Sequence, residues 1–308
     1  MIEAQGVSKR YGAVRALEDV SLRAPKGSVV GLLGQNGAGK TTLLRIMTGY
    51  MAATSGRVLI CGADPLLSSG EAKRHLGYMP EHPPLYDEMT VWEYLCFVSR
   101  LKSVHPGAVR DHAREVMKAT GLSDMKNRLL GHLSKGYRQR AGLAQALCGD
   151  PEVLILDEPT SGLDPKQITE IRQLVKDLSA GRTILFSSHI LSEVQQLCDH
   201  VVVLNRGRVK LDMNLDRPEP SGNATLLCWI RGAGEGLLPA LRRMPGIREV
   251  RTEPAPGPEI TSVTLAFDGE EQPEESLFTL LSGLGMPILR LQRQESSLEQ
   301  VFLDAISE

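Results

Sequence analysis

Short alternating or apolar runs open the chain at Ile2–Val7, Asp19–Ala24, Ser28–Leu33 and Arg57–Ile60. Turn formers punctuate them at Tyr11-Gly12, Pro25-Lys26-Gly27 and Ser55-Gly56, and the pattern predicts strands. After the third run, a Gly-rich turn leads into a helical segment from Lys40 to Thr48. Near residues 88–149 the spacing changes to the helical period, in Val91–Leu101, Ala108–Thr120 and Tyr137–Leu147. Strands are expected again at Val153–Leu156, Thr183–Phe186 and Val201–Leu204. A helix over Pro165–Leu178, with proline at its start, separates the first two. This alternation predicts an α/β sheet carrying a mainly helical insertion.

Asp, Pro, Ser and Gly cluster over Met213–Gly222, so a domain over 1–212 is expected to be followed by an accessory domain over 213–308. The second part reads strand (Thr225–Ile230), helix (Gly236–Met244), strand (Ile247–Thr252), strand (Ile260–Phe267), helix (Glu274–Leu284) and strand (Ile288–Arg293). That βαββαβ order is the ferredoxin-like arrangement of a small α+β domain. A last helix is expected from Ser296-Ser297-Leu298-Glu299, a capping-box pattern ahead of Val301, Phe302 and Leu303.

Composition adds to this in three respects. A length of 308 residues with 42% hydrophobic and 23% charged positions fits an ordinary globular protein of about two domains. Charge is uneven: residues 1–212 hold 27 Lys and Arg against 22 Asp and Glu, whereas residues 213–308 hold 8 against 15 and no lysine. Two separately built modules account for that better than a uniformly basic nucleic-acid binder, and no nucleic-acid partner is expected. Cys61, Cys96, Cys148, Cys198 and Cys228 stand singly, without a C-x-x-C pair or a histidine at metal-ligand spacing. They read as free thiols in a reducing compartment. The N-terminus lacks a signal-peptide pattern. No window approaches the ~18 uncharged apolar residues of a membrane span, so work at a membrane would need another anchor.

Gly34-Gln35-Asn36-Gly37-Ala38-Gly39-Lys40-Thr41 matches G-x-x-x-x-G-K-[ST] between a predicted strand and a predicted helix. In such a loop consecutive backbone N–H groups converge on phosphate oxygens at a helix N-terminus, with Thr42 continuing the turn. Lys40 adds a point charge for the β- and γ-phosphates, and the Thr41 hydroxyl can ligate Mg²⁺. A nucleoside triphosphate, ATP·Mg, is the expected ligand. The apolar run Val153-Leu154-Ile155-Leu156 ends in Asp157-Glu158. Asp157 is placed to hold the metal, and Glu158 to act as general base or water-orienting group.

Leu133-Ser134-Lys135-Gly136-Tyr137-Arg138-Gln139-Arg140 resembles the signature motif of ABC-transporter ATPases, with Ser134 standing 23 residues before Asp157. The resemblance runs through residues 1–212 and implies the P-loop ABC ATPase fold. It makes Tyr11 the ring that stacks on adenine, a contact that needs only a flat apolar face. It makes Asp164, in Ser161-Gly162-Leu163-Asp164, the D-loop acid, and His189 the switch histidine. Ser134, Lys135 and Gly136 become a second anion site that acts in trans on ATP bound by another subunit, either a second copy or a paralogous ATPase. A surface tyrosine or a lone histidine would be ordinary by itself; the order of the motifs carries these assignments. Glu81 stands 41 residues after Lys40, where most members of the family have glutamine, and is a further candidate metal contact.

Glu81, Pro83-Pro84-Leu85-Tyr86 and the closing Leu298-Glu299-Gln300-Val301-Phe302-Leu303 are similar to the exporter branch that serves ABC-2-type permeases. That branch includes gliding-motility, sodium-efflux and nitrous-oxide-reductase-maturation ATPases. The resemblance implies an ATP-hydrolysing subunit at the cytoplasmic face of a membrane, held there by a separate permease. Two other functions stay open. One is a soluble ABC ATPase acting on ribosomes or DNA, against which stand the single P-loop and the lack of sustained heptads. The other is an import ATPase with a regulatory tail, where glutamine rather than Glu81 would be expected.

Overall fold

In the computed structural model the opening alternation forms two long strands, β1 (Ile2–Tyr11) and β2 (Val14–Ala24), paired antiparallel. β3 (Val29–Leu33) is buried at every position and leads through the Gly-rich turn into α1 (Lys40–Met47). β4 (Ser55–Ile60) pairs with β1, closing a three-stranded sheet in the order β2-β1-β4. Then follow α2 (Ser69–His75) and β5 (Leu76–Met79), and the helical insertion of α3 (Val91–Leu101), α4 (Val109–Ala119) and α5 (Lys135–Leu147). α3 begins with a capping box in which Glu93 N–H donates to Thr90 Oγ1 at 3.2 Å and Thr90 N–H donates to Glu93 Oε2 at 2.9 Å. The chain continues with β6 (Val153–Asp157), α6 (Pro165–Ser179), β7 (Thr183–Ser188), α7 (Leu191–Leu197), β8 (His200–Asn205) and β9 (Arg208–Asn214).

The larger sheet has the order β5-β6-β7-β3-β8-β9, parallel from β5 through β8, with β9 antiparallel at the edge. β6 and β7, like β3, are buried throughout, as expected for parallel strands covered on both faces. α7 lies against β3 so closely that a Cβ on Gly31 would run into Val194. α1 contributes Leu43, Leu44 and Met47 to a core shared with both sheets.

The structure describes residues 1–215, 225–232, 236–255, 257, 259–267, 273–294 and 302, in two compact units, Met1–Arg217 and Pro218–Glu308. The first unit extends past residue 212 because β9 pairs as far as Asn214 opposite His200, and Leu215 N–H donates to Asp199 O at 2.8 Å. Exposed Asp212 and Asn214 on this edge strand give it the composition of a linker. In the second unit β10 (Thr225–Arg231), α8 (Leu237–Arg242), β11 (Ile247–Glu253), β12 (Ile260–Phe267), α9 (Pro273–Gly283) and β13 (Ile288–Gln294) follow in order. The sheet runs β11-β12-β10-β13 with every neighbouring pair antiparallel, which is the ferredoxin-like topology. Leu226, Cys228, Ile230, Val263, Leu265 and Phe267 form one core with Leu237, Leu241, Leu277 and Leu281 of the two helices. The helix expected from Ser296 lies, Phe302 apart, outside the described residues.

Candidate functional site

The parallel strands β3, β6 and β7 lie side by side, and their C-terminal ends open into turns that carry the polar residues singled out above. This is where open α/β sheets place ligands. After β3, the loop Gly34–Gly39 wraps toward α1, with Ala38 N–H donating to Gln35 O at 3.1 Å and Ala38 O accepting from Gly207 N–H at 2.9 Å. Gly39 takes a φ of 108° with Ala16 O only 2.8 Å from where a Cβ would stand, so no other residue fits. Gln35, Asn36, Gly37 and Thr41 are exposed, Thr42 is half-buried, and Gly34 lies against Leu204 O.

Lys40 is buried, and its Nζ donates to Gly34 O at 2.6 Å and Gln35 O at 3.3 Å. The same ammonium lies 3.3 Å from Glu158 Oε1. Glu158 sits just past the end of β6 with φ 48°, a left-handed conformation that costs a non-glycine residue about 1–2 kcal/mol. Its N–H donates to Ser187 O at 3.2 Å, and Oε2 lies 2.8 Å from His189 Nδ1. The strained backbone thus turns one carboxylate toward both the cradle lysine and the histidine after β7.

Asp157, the last residue of β6, is 2% exposed. Burial pushes its carboxyl above the ordinary aspartate range, nearby Ser187 and Thr41 hydroxyls pull it partly back, and Glu158 and Glu81 push it further up. Oδ1 has no protein partner of good hydrogen-bond geometry. A buried carboxylate oxygen left open, flanked by a threonine hydroxyl and a second carboxylate, is a donor set of hard oxygens suited to Mg²⁺. The fit of Thr41, Asp157 and Glu81 to that ion is therefore good. Glu81 also accepts from Ser161 Oγ at 3.3 Å through Oε1, and its backbone carbonyl accepts from buried Gln139 Nε2 at 3.3 Å.

Ser134 is the N-cap of α5, but its side chain makes no capping hydrogen bond. A cavity of about 280 Å³ opens beside it, lined by Ser134, Gly136, Arg140, Asp164, Gln167 and Glu170 among others, and by none of Gly34–Thr42. Lys135 reaches across to Gly162. Asp164 caps α6, accepting from Gln167 N–H at 2.9 Å. Tyr11 ends β1 opposite Val14, 46% exposed, with its hydroxyl donating to Met51 Sδ at 3.1 Å and Lys9 Nζ 5.3 Å from the ring centre. The site residues therefore gather into a phosphate-cradle group (34–42, 81, 157, 158, 189), a signature group (134–136, 164), and the separate ring of Tyr11.

Glu193 escaped the sequence reading. It is buried on α7, and Oε2 accepts from Ser188 Oγ at 2.8 Å and Thr160 Oγ1 at 2.9 Å, while Ser188 Oγ accepts from Ile190 N–H at 3.0 Å. This network fixes the turns on either side of Glu158 and His189. Among the described residues no helix is long and apolar enough to cross a membrane.

Three kinds of comparison place this geometry among known proteins. The family model for the ABC transporter matches residues 17–161. The bacitracin transport ATP-binding protein BcrA of Bacillus licheniformis is 38% identical over 218 residues, covering 70% of each chain. The linearmycin resistance ATP-binding protein LnrL of Bacillus subtilis (strain 168) is 29% identical over 307 residues, 99% of this chain and 97% of that one. Among solved structures, a dimeric ATP-binding cassette in a post-hydrolysis state, bound to ADP and Pi, aligns with a TM-score of 0.63 at 26% identity. It covers 70% of this chain and 99% of the other.

Proposed function

The chain belongs to the ABC transporter ATP-binding proteins and is an ATP hydrolase, and from that premise we propose that two copies close around two ATP·Mg to drive a separate ABC-2-type permease as an exporter. The observation that supports the closed pair is the separation of the two residue groups. The cavity beside Ser134 is lined by none of the cradle residues, which fits a signature that acts on ATP held by another chain. The names of its relatives support the export direction, since one serves bacitracin transport and another, alike along almost the whole chain, linearmycin resistance. The chain then works at the cytoplasmic face of the membrane, held by its permease.

In this reading the backbone of Gly34–Gly39, with Thr41 and Thr42, receives the phosphates, and the Tyr11 ring stacks on the base. Lys40 exchanges Gly34 O and Glu158 for phosphate oxygens, which frees the Glu158 carboxylate. Glu158 orients a water and takes its proton as the water oxygen bonds the γ-phosphorus and the bond to ADP breaks. His189, already 2.8 Å from Glu158, holds that carboxylate and donates toward the γ-phosphate. Thr41, Asp157 and Glu81 would hold Mg²⁺, which neutralises charge on the β- and γ-oxygens when bound. Ser134, Lys135 and Gly136 grip the γ-phosphate from the opposite chain, with Asp164 beside them.

Affinity purification of the full chain from solubilised membranes tests the reading. A co-isolated protein with several apolar spans of about 20 residues each is expected. Ribosomes or DNA in its place would support a soluble ATPase instead.

A further inference from the structure

Cys61, His75 and Glu152 come from three separate segments: the turn after β4, the last residue of α2 and the loop before β6. Their ligating atoms all lie within 4.8 Å of one another, and His75 Nδ1 is 2.9 Å from Glu152 Oε1. Cys61 and His75 are half-buried and Glu152 is exposed, whereas the other four cysteines are buried. Among the cysteines, then, only Cys61 offers a thiol that an ion in solution can reach, and the Met1 ammonium lies 3.7 Å from its Sγ.

The backbone at Cys61 is bent into a tight turn that holds the thiol in place. Ile60 N–H donates to Ala63 O at 2.8 Å and Ala63 N–H to Ile60 O at 3.0 Å, with Cys61 and Gly62 between them at φ 50° and 86°. Two successive positive φ values are the pattern of a type I′ turn, where asparagine or aspartate before glycine is the relaxed choice. A cysteine held there is strained by about 1 kcal/mol or more. The strained residue is the one that places a thiol beside an imidazole and a carboxylate.

We propose that Cys61, His75 and Glu152 form a site for one borderline dication of the Zn²⁺ class, with a fourth position left to water. A mixed sulfur, nitrogen and oxygen set suits that class and not Mg²⁺. The site is thus chemically distinct from Thr41, Asp157 and Glu81, which offer only hard oxygens. The bound ion would tie the turn of the three-stranded sheet to the α2–β5–β6 edge of the six-stranded one. Binding releases the thiol proton, exchanges the His75–Glu152 hydrogen bond for metal bonds and displaces the Met1 ammonium from Cys61 Sγ, so affinity rises with pH.

Titration of the nucleotide-free full chain with Co²⁺ alone tests this. A near-ultraviolet sulfur-to-cobalt charge-transfer band is expected, removed by one equivalent of Zn²⁺. Cobalt bound only by oxygens at the nucleotide site gives no such band. Cys61→Asn installs the residue this turn prefers, so it should abolish the band while leaving the melting temperature equal or higher. Were that variant unstable, Cys61→Ser reads the same band. His75→Ala and Glu152→Gln should each weaken Co²⁺ binding at least about tenfold, given that loss of an outer-shell partner alone costs about 10–100-fold. Zn²⁺ should raise the melting temperature of the unaltered chain and not that of Cys61→Asn. Absence of the band, or its survival in Cys61→Asn and Cys61→Ser, overturns the proposal.

Discussion

In the four-stranded sheet of the second unit the helix-facing positions are apolar, and Ser262 is the one buried polar side chain among that unit's described residues. The six-stranded sheet of the first unit is built differently. At or just beyond the C-terminal ends of β3, β6 and β7 it buries Lys40, Asp157, Glu158, Ser187 and Ser188, with Glu193 behind them. It leaves Asp157 Oδ1 and Glu193 Oε1 without protein partners. A buried carboxylate oxygen without a partner costs stability, typically about 1–3 kcal/mol or more for a charged group. The first sheet carries that cost where the proposed function has phosphates and a cation received, and no such role is proposed for the second. Local departures from good packing chemistry mark the working end of a fold.

Substitutions can sharpen or break this contrast. Glu158→Gln keeps the side chain's size and removes its basicity, so steady-state hydrolysis should fall by about 10²–10⁴-fold with ATP binding retained. Near-normal turnover would remove Glu158 from the chemistry. Lys40→Ala deletes a buried charge-assisted contact of about 1.5–3 kcal/mol, so calorimetry should find ATP affinity reduced about 10–100-fold. Asp157→Asn should cut turnover yet stabilise the nucleotide-free chain. The folded-state pKa of Asp157 is raised, so the stability linked to its protonation is present below the unfolded pKa and lost as pH rises through the folded one. At neutral pH the neutral amide should therefore gain roughly 2–4 °C in melting temperature, the shift that about 1 kcal/mol produces at this size. This gain should shrink as pH falls through the folded pKa. A lower melting temperature at neutral pH would mean that the buried carboxylate is already well compensated. The smallest effect belongs to the other sheet. A chain ended at Arg217 should keep ATP binding and basal turnover within about tenfold, a barrier change of roughly 1.4 kcal/mol. Loss of ATP binding in a truncated chain that is folded by circular dichroism would erase the contrast.

The places of the Gly34–Thr41 loop and the Asp157-Glu158 pair were legible because each is contiguous and announced by an apolar run that forms a buried strand. The ferredoxin-like order was legible because alternation on its strands matches one covered face. Less could be read where elements are short or lie at an edge. β5 spans four residues, α2 and α7 seven each, and β9 alternates at a sheet edge with mostly polar outward positions. Glu193 looks like a solvated residue on a short helix, because its partner Thr160 lies 33 residues away. Cys61, His75 and Glu152 have spacings that no ligand motif shares, since folding alone brings them together.

In the proposed function a working site joins the cradle of one chain to the signature of another. Mixing a Lys40→Ala chain with a Ser134→Arg chain tests it directly. Each variant alone lacks either a good cradle or a good signature at both of its sites, while the mixed pair has one site with both. ATP-dependent association and recovered hydrolysis are expected in the mixture, above the sum of the separate proteins. No association and no recovery, with both chains folded, would contradict it.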